Sequence, residues 1–188
     1  MIYFISDHHW GHKAVIHMSN RPFDNVHEMN MYMIEQWNNT VSPDDEVYYL
    51  GDFMYKMNPN KFVEHVLNKL NGKIYLIKGN HDKRYLNKYE QRVEWIKDIE
   101  YMEYKHNDKT YNFVLFHYPI YSWNGIWRGY IHLHGHTHKN TDDIYFKPPV
   151  SDRILNVNCE FFDYKPISIT QVIDIMEDRE YGGKKLKI

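Results

Sequence analysis

Short apolar runs that end near a glycine recur through the first half of the chain, and they constrain the fold more than any other feature. Residues 2–5, 47–50 and 74–77 are rich in β-branched and aromatic side chains and have the length of a buried strand. Gly51 and Gly79 follow the second and third runs. Helix-periodic stretches separate the runs, and this alternation predicts a parallel sheet covered by helices.

Two of these intervening stretches predict helices. Residues 26–39 repeat large apolar side chains at helical spacing, and a second stripe runs over residues 62–70. The second stripe ends at the Asn-Gly pair of residues 71 and 72, which is typical of a helix terminus.

The second half of the chain is predicted to contain more antiparallel strand pairing than the first half. Residues 99–105 and 110–117 flank Asn107-Asp108, which predicts a β-hairpin. Further predictions are strands at 131–134 and 154–158, a helix at 169–176, a polar loop with two prolines at 148–149 and a solvated tail at 182–185. We therefore predict the α/β fold class, in a single domain that spans residues 1–188.

Five polar segments come directly after predicted strands. They are Asp7-His8-His9, Gly51-Asp52, Gly79-Asn80-His81-Asp82, His117 and Gly135-His136-Thr137-His138. Ligand sites in open α/β sheets lie beyond the carboxyl ends of the strands, so we expect these segments to converge. In an extended chain, residues two apart point to the same side, so Asp7 and His9 can reach one ion.

The donor atoms of these segments favour a pair of divalent ions. Imidazole nitrogens with carboxylate and amide oxygens, and without thiolates, suit Mn, Fe, Co, Ni or Zn. Seven candidate ligands are too many for one tetrahedral ion, and the carboxylate of Asp52 is the central candidate to bridge two ions. Two such ions would retain net positive charge beside Asp7 and Asp52, which attracts a phosphate oxyanion.

In this order the segments resemble the blocks of the calcineurin-like metallophosphoesterase superfamily, which are Asp-x-His, Gly-Asp, Gly-Asn-His-Asp/Glu, His and Gly-His-x-His. All five blocks are intact between residues 7 and 138. The segments Trp10-Gly11-His12 and Arg21-Pro22-Phe23, with Asn38, further resemble a small bacterial and phage-encoded branch. The resemblance implies a four-layer α/β/β/α sandwich and metal-dependent hydrolysis of phosphate esters.

The resemblance also implies a role for each matching residue. The implied metal ligands are Asp7, His9 and His138 for the first ion, Asn80, His117 and His136 for the second, and Asp52 between them. Hydroxide held between the ions would attack phosphorus, and Asn80 and His81 would contact the phosphate. His81 resembles the general acid, and Asp82 would orient its ring.

Two residues outside the metal blocks are candidates for holding the phosphate. The guanidinium of Arg21 matches phosphate oxygens, although a surface arginine that caps a loop is an equal alternative. His12 is the second candidate, whereas His8, His132 and His134 are interpreted as structural. The aromatic stretch 118–130 either stacks on a nucleobase or packs over the sheet, and we favour packing.

Composition narrows the classes of partner. The formal charge of −2 supplies no basic surface, so stable nucleic-acid binding is not expected. No apolar run is long enough to cross a membrane, and the single cysteine, Cys159, fits a reducing cytoplasm. The resemblance to the bacterial and phage-encoded branch implies that this is the cytoplasm of a bacterium or of a phage-infected host. The oligomeric state is left open.

The leading functional hypothesis is a small phosphoesterase for phosphodiesters or small nucleotidic esters, assayed best with Mn, because nothing in 188 residues resembles a cap domain. The alternatives are a metal-dependent nuclease and a non-catalytic metal-binding module. His81 and Asp82 argue against the module, since metal storage needs neither.

Overall fold

Two β-sheets form the centre of the molecule. The computed structural model describes residues 1–84, 86–139 and 151–182, so the proline loop at 148–149 and the tail at 183–185 lie outside the described residues. The first sheet has the order β4-β3-β2-β1-β9, and its strands are Ile2–Ile5 (β1), Glu46–Tyr49 (β2), Lys73–Ile77 (β3), Trp95–Lys97 (β4) and Ile167–Ser168 (β9). Strands β1 to β4 are parallel, as predicted, and β9 pairs antiparallel with β1.

The second sheet has the order β5-β6-β7-β8. Its strands are Ile99–His106 (β5), Lys109–Phe116 (β6), Ile131–His134 (β7) and Ile154–Asn156 (β8). The predicted hairpin joins β5 to β6 through Asn107 and Asp108, which both have positive φ, as a tight hairpin turn requires. The pairs β6–β7 and β7–β8 are parallel, so the antiparallel part of this sheet is the β5–β6 hairpin.

Helices lie mainly along the first sheet. They are Lys13–Met18 (α1), Val26–Thr40 (α2), Pro59–His65 (α3), Leu86–Tyr89 (α4) and Ile169–Gly182 (α5). The Asn25 side chain accepts the N–H of Glu28 and caps α2, which confirms the first predicted helix. The second predicted helix ends early, at His65, and Leu67–Lys69 continues as a 3-10 turn.

Apolar side chains form three clusters that define the layers. The first lies between the first sheet and the helices and includes Met33, Trp37 and Phe62. The second joins the two sheets, where Phe4 of β1 packs with Phe113 of β6, and it also takes up the apolar face of α5. The third lies on the other face of the second sheet. In the described residues this outer layer comes from the stretch 118–130, whose helical part is the 3-10 turn Ile126–Arg128, so it holds the place of the second α layer in the predicted α/β/β/α order without an α-helix.

The aromatic stretch 118–130 supplies the outermost layer. Trp123 is buried in the third cluster, and its Nε1 donates to the carbonyl oxygen of Tyr130 at 2.9 Å. This contact supports the packing interpretation for Trp123. Tyr121 and Trp127, by contrast, are 69% and 84% exposed. Over the described ranges, no helix combines the length and apolar character that a membrane span requires.

Candidate active site

The five polar segments meet at the carboxyl ends of β1, β2, β3, β6 and β7. Asp7, His9 and His138 offer ligand atoms within 4.8 Å of one another, and so do Asp52, His117 and His136. Asp52 faces both sets, because its Oδ2 lies 3.6 Å from Nε2 of His9 and its Oδ1 lies 3.6 Å from Nε2 of His117. Two adjacent sets of donors therefore share one central carboxylate.

Asn80 and His81 lie beside these sets. Oδ1 of Asn80 is 3.1 Å from Nε2 of His117, so the amide oxygen adjoins the second set. Nε2 of His81 is 3.7 Å from Oδ2 of Asp52, and the His81 side chain is 34% exposed. All seven predicted ligands and His81 are thus brought together, although their roles stay predictions.

The backbone reaches this arrangement through left-handed turns. Asp7, His9, Asp52 and His136 have φ values of 59°, 53°, 57° and 68°. The expectation that an extended chain aims Asp7 and His9 to one side is therefore wrong, because β1 ends at Ile5 and the chain then turns. Non-glycine residues in this region are strained, and such strain concentrates at functional sites.

Hydrogen bonds between the segments hold the turns. The N–H of Asp7 donates to the carbonyl of Gly51 at 3.0 Å, and the N–H of His9 donates to that of Asp52 at 3.2 Å. The N–H of His136 donates to Oδ2 of Asp7 at 3.0 Å. Each segment is therefore fixed by another that is remote in sequence.

Asp82 stabilises the turn that carries Asp52. Its buried carboxylate accepts backbone N–H groups of Asp52 and Gly79 at Oδ2 and of Phe53 at Oδ1, all within 2.9 Å. No hydrogen bond to the His81 ring occurs among the described residues. The prediction that Asp82 orients His81 is therefore corrected, because these backbone donors use its oxygens.

Burial sets the electrostatics of the two donor sets. Burial raises the pKa of Asp7 to about 7 and that of Asp52 to about 6. It also lowers the pKa of His136 to about 4 and holds that of His9 well below its ordinary value. Imidazoles that stay neutral are competent ligands, and crowded buried carboxylates favour a nearby cation.

His9 gives a direct test of whether metal ions fit. Both of its ring nitrogens are buried, and neither has a hydrogen-bond partner among the described residues. A buried polar atom without a partner is costly, and a metal ion bound at Nε2, which faces Asp7 and Asp52, would remove that cost for one of the two nitrogens. The residues present therefore fit divalent metal ions.

Substitution of Gly79 by alanine is expected to weaken metal binding by about tenfold or more. A methyl group at residue 79 would overlap Oδ1 and the backbone nitrogen of Asp52, which would displace the shared carboxylate. Metal titration followed by calorimetry measures the effect. Gly129→Ala is the control for adding a methyl group: its Cβ would meet only Arg153, at 4.0 Å, and although its φ of 83° strains an alanine backbone, it does not touch the donor sets. Unchanged affinity in Gly79→Ala would contradict the prediction.

A cleft of about 250 Å³ opens beside the donor sets. Its lining includes His12, Val15, Met18 and Ser19, together with the ligand candidates and His81. The His12 ring packs on Tyr55 with centroids 4.1 Å apart, and burial lowers the pKa of His12 to about 4. His12 can therefore meet a substrate in this cleft, and its contact with phosphate stays a prediction.

Arg21 does not face the cleft, and both sequence interpretations of it are wrong. The residue is 4% exposed. Its guanidinium donates to the carbonyl oxygens of Asp7 and His8, each at 2.7 Å, and to Oε1 of Glu160 at 2.9 Å. Because these carbonyl and carboxylate oxygens occupy the guanidinium, Arg21 braces the segment that carries Asp7 and His8 and does not face a phosphate in the cleft.

Glu160 is the residue that sequence reasoning missed. Its Oε1 lies 2.8 Å from Nδ1 of His138. Burial alone would raise the pKa of Glu160, but the hydrogen bond to His138 and the charge of Arg21 lower it to about 2. The only available signal was weak: Asn158 and Glu160 come shortly after β8, as the predicted ligands come after other strands.

The histidines interpreted as structural are buried away from the cleft. Nδ1 of His8 lies 2.8 Å from the hydroxyl of Tyr49, and Nδ1 of His132 lies 3.1 Å from the carbonyl of Val114. His134 is also buried, with Nδ1 2.8 Å from the carbonyl of Gly135. These contacts confirm the structural interpretation.

Comparisons with known proteins place this site in a family context. The family described as calcineurin-like phosphoesterase has a model that matches residues 1–169. An uncharacterized protein of Methanocaldococcus jannaschii is 39% identical over 176 residues, which cover 94% of this chain and 91% of that protein. A crystal structure of a protein of unknown function from Aquifex aeolicus has a TM-score of 0.70 and 25% identity, covering 93% of this chain and 98% of the other.

Proposed function

The chain belongs to the calcineurin-like phosphoesterase family, and we propose that it is a dinuclear, metal-dependent phosphoesterase for phosphodiesters or small nucleotidic esters. The observation that carries the proposal is the pair of donor sets that face the one carboxylate of Asp52. Two neighbouring divalent ions are a recurrent device for displacement at phosphorus.

Each donor set would hold one ion in this proposal. The ligands would be Asp7, His9 and His138 for the first ion and Asn80, His117 and His136 for the second, with Asp52 shared. Mn, Fe, Co, Ni and Zn all suit this mixture of nitrogen and oxygen donors. When bound, such ions supply Lewis-acid chemistry: they neutralise phosphoryl oxygens and lower the pKa of water.

The side chains around the ligands would handle the substrate. The amide of Asn80 would contact a non-bridging phosphoryl oxygen, which stabilises the charge that develops there. His81 is partly exposed and lines the cleft, so its ring would donate a proton to the leaving oxygen. His12, on the same cleft, would hold an oxygen that does not react.

The size and walls of the cleft favour a small organic ester. A volume of about 250 Å³ lies below the usual range for drug-sized ligands, so a large macromolecular partner is not required. Val15 and Met18 of α1 line it with apolar atoms that suit an organic substituent on phosphorus. The formal charge of −2 supports a small substrate over a nucleic acid.

Hydrolysis assays with controlled metal content test the proposal. The protein is stripped with EDTA, reloaded with Mn, and given bis(4-nitrophenyl) phosphate, 4-nitrophenyl phosphate and short single-stranded DNA. We expect turnover of the diester with Mn, its loss on stripping and its return on reloading. Absence of turnover with Mn, Fe, Co, Ni and Zn would favour a binding module, and preferred, strongly salt-dependent cleavage of DNA would favour a nuclease.

A further inference from the structure

Glu160 is held rigidly in a buried position. It lies in the 3-10 turn Cys159–Phe161, and the Asn158 side chain accepts its N–H at 3.0 Å. The Glu160 side chain is 3% exposed. Its Oε2 accepts the N–H of Lys139 at 3.1 Å, so both carboxylate oxygens have partners. A carboxylate fixed in this way can fix its neighbours in turn.

Oε1 of Glu160 contacts two side chains, and each belongs to or supports a different segment of the first donor set. Nδ1 of His138 lies 2.8 Å away, and Nε of Arg21 lies 2.9 Å away. Arg21 continues to the carbonyl oxygens of Asp7 and His8, each at 2.7 Å. One buried carboxylate thereby connects the segment of Asp7 and His9 with that of His138, which follows 129 residues after His9.

We propose that Glu160 is a positioning residue for His138 in the first metal site. The Glu160 carboxylate accepts the Nδ1–H of His138, which leaves Nε2 as the ring nitrogen able to ligate an ion. The same carboxylate holds Arg21 against the Asp7 segment. Glu160 therefore sets both the tautomer of one ligand and its separation from two others.

Glu160 is expected to affect the binding of only one of the two ions. In the described residues, Glu160 forms no hydrogen bond or ion pair with His117 or His136 of the second donor set. Loss of the Glu160 charge should therefore lower the affinity of the first site for its ion and leave the affinity of the second site unchanged. A merely structural role would lower stability and disturb both ions together.

Metal titration of Glu160→Gln tests the inference, which rests on the metal site of the proposed function but not on turnover. We expect Mn affinity to fall about 10–100-fold at one site and to stay unchanged at the other. Activity at limiting Mn should fall and return when Mn is raised. Glu177→Gln is the matched control, because Glu177 also pairs with a cation, Lys109, at 3.0 Å, on the surface.

Glu160→Asp keeps the inference testable if the glutamine variant does not fold. Aspartate retains the charge but is one methylene shorter, so we expect a smaller loss of affinity at the same single site. Two unchanged affinities, or an equal loss of both with lower thermal stability of the metal-free protein, would overturn the inference. Wild-type protein that binds two ions and hydrolyses no ester would refute the proposed function alone.

Discussion

Replacement of Asp52 by asparagine is expected to lower kcat/KM on a bis-aryl phosphate by about 10³-fold or more. Asp52 faces both donor sets, and an uncharged amide cannot offer two anionic oxygens to two cations. Asparagine preserves the shape of the side chain, can still accept the N–H of His81 through its amide oxygen and tolerates the positive φ at this position. The substitution therefore tests ligand chemistry with little change to the backbone.

Metal analysis and kinetics on the same preparation measure this effect. Asp44→Asn removes an equivalent charge from an exposed position and should leave both readouts unchanged. Wild-type rates in an Asp52→Asn protein, with its mass and its two bound ions verified, would falsify the shared role of the carboxylate. We expect the Asp52→Asn protein to bind fewer ions and to hydrolyse the ester more slowly.

Replacement of His81 by alanine is expected to lower kcat by roughly 10²–10⁴-fold while both ions remain bound. The His81 ring lies in the cleft, edge-on to Tyr55 with centroids 4.6 Å apart. It forms a third group of donors with His9 and Asp52, but it belongs to neither of the two sets to which the proposal assigns the ions. Burial holds the pKa of His81 below its ordinary value, despite the opposing charge of Asp82. An anionic phosphoester in the cleft would act to raise that pKa, which favours the protonated ring that a general acid needs.

The leaving group provides the test of this role. A nitrophenolate departs without protonation, whereas an alkoxide needs an acid, so His81→Ala should affect an alkyl ester more than an aryl ester. The measurement is kcat for both ester types, with metal content checked, and His65→Ala is the exposed control. An equal loss for both esters, or loss of an ion, would instead assign His81 to metal binding beside His9 and Asp52.

Sequence patterns predicted the parts of the fold that depend on local chemistry. Strands β1 to β3, helix α2 and the hairpin at Asn107 follow from hydrophobic periodicity and turn residues. Strands β4 and β9 have three and two residues, which is too short for a periodic signal, and they form because a neighbouring strand pairs with them.

The site shows the same division between local and long-range information. The ligand candidates were predictable because each follows a strand, and strand ends meet at one edge of an α/β sheet. The contacts of Arg21 and Asp82 were not, because a side chain's partner depends on how remote segments pack. Glu160 lies 22 residues beyond His138, and no local pattern connects the two.

The positive φ values at Asp7, His9, Asp52 and His136 restrict which amino acids can occupy these four positions. Aspartate, asparagine and histidine enter this backbone region more readily than most side chains, and they are also metal donors. Glutamate or glutamine would keep a donor atom but adopt the turn less readily, at a cost on the order of 1–3 kcal/mol. Divergent relatives should therefore vary the surroundings of these four positions sooner than the positions themselves.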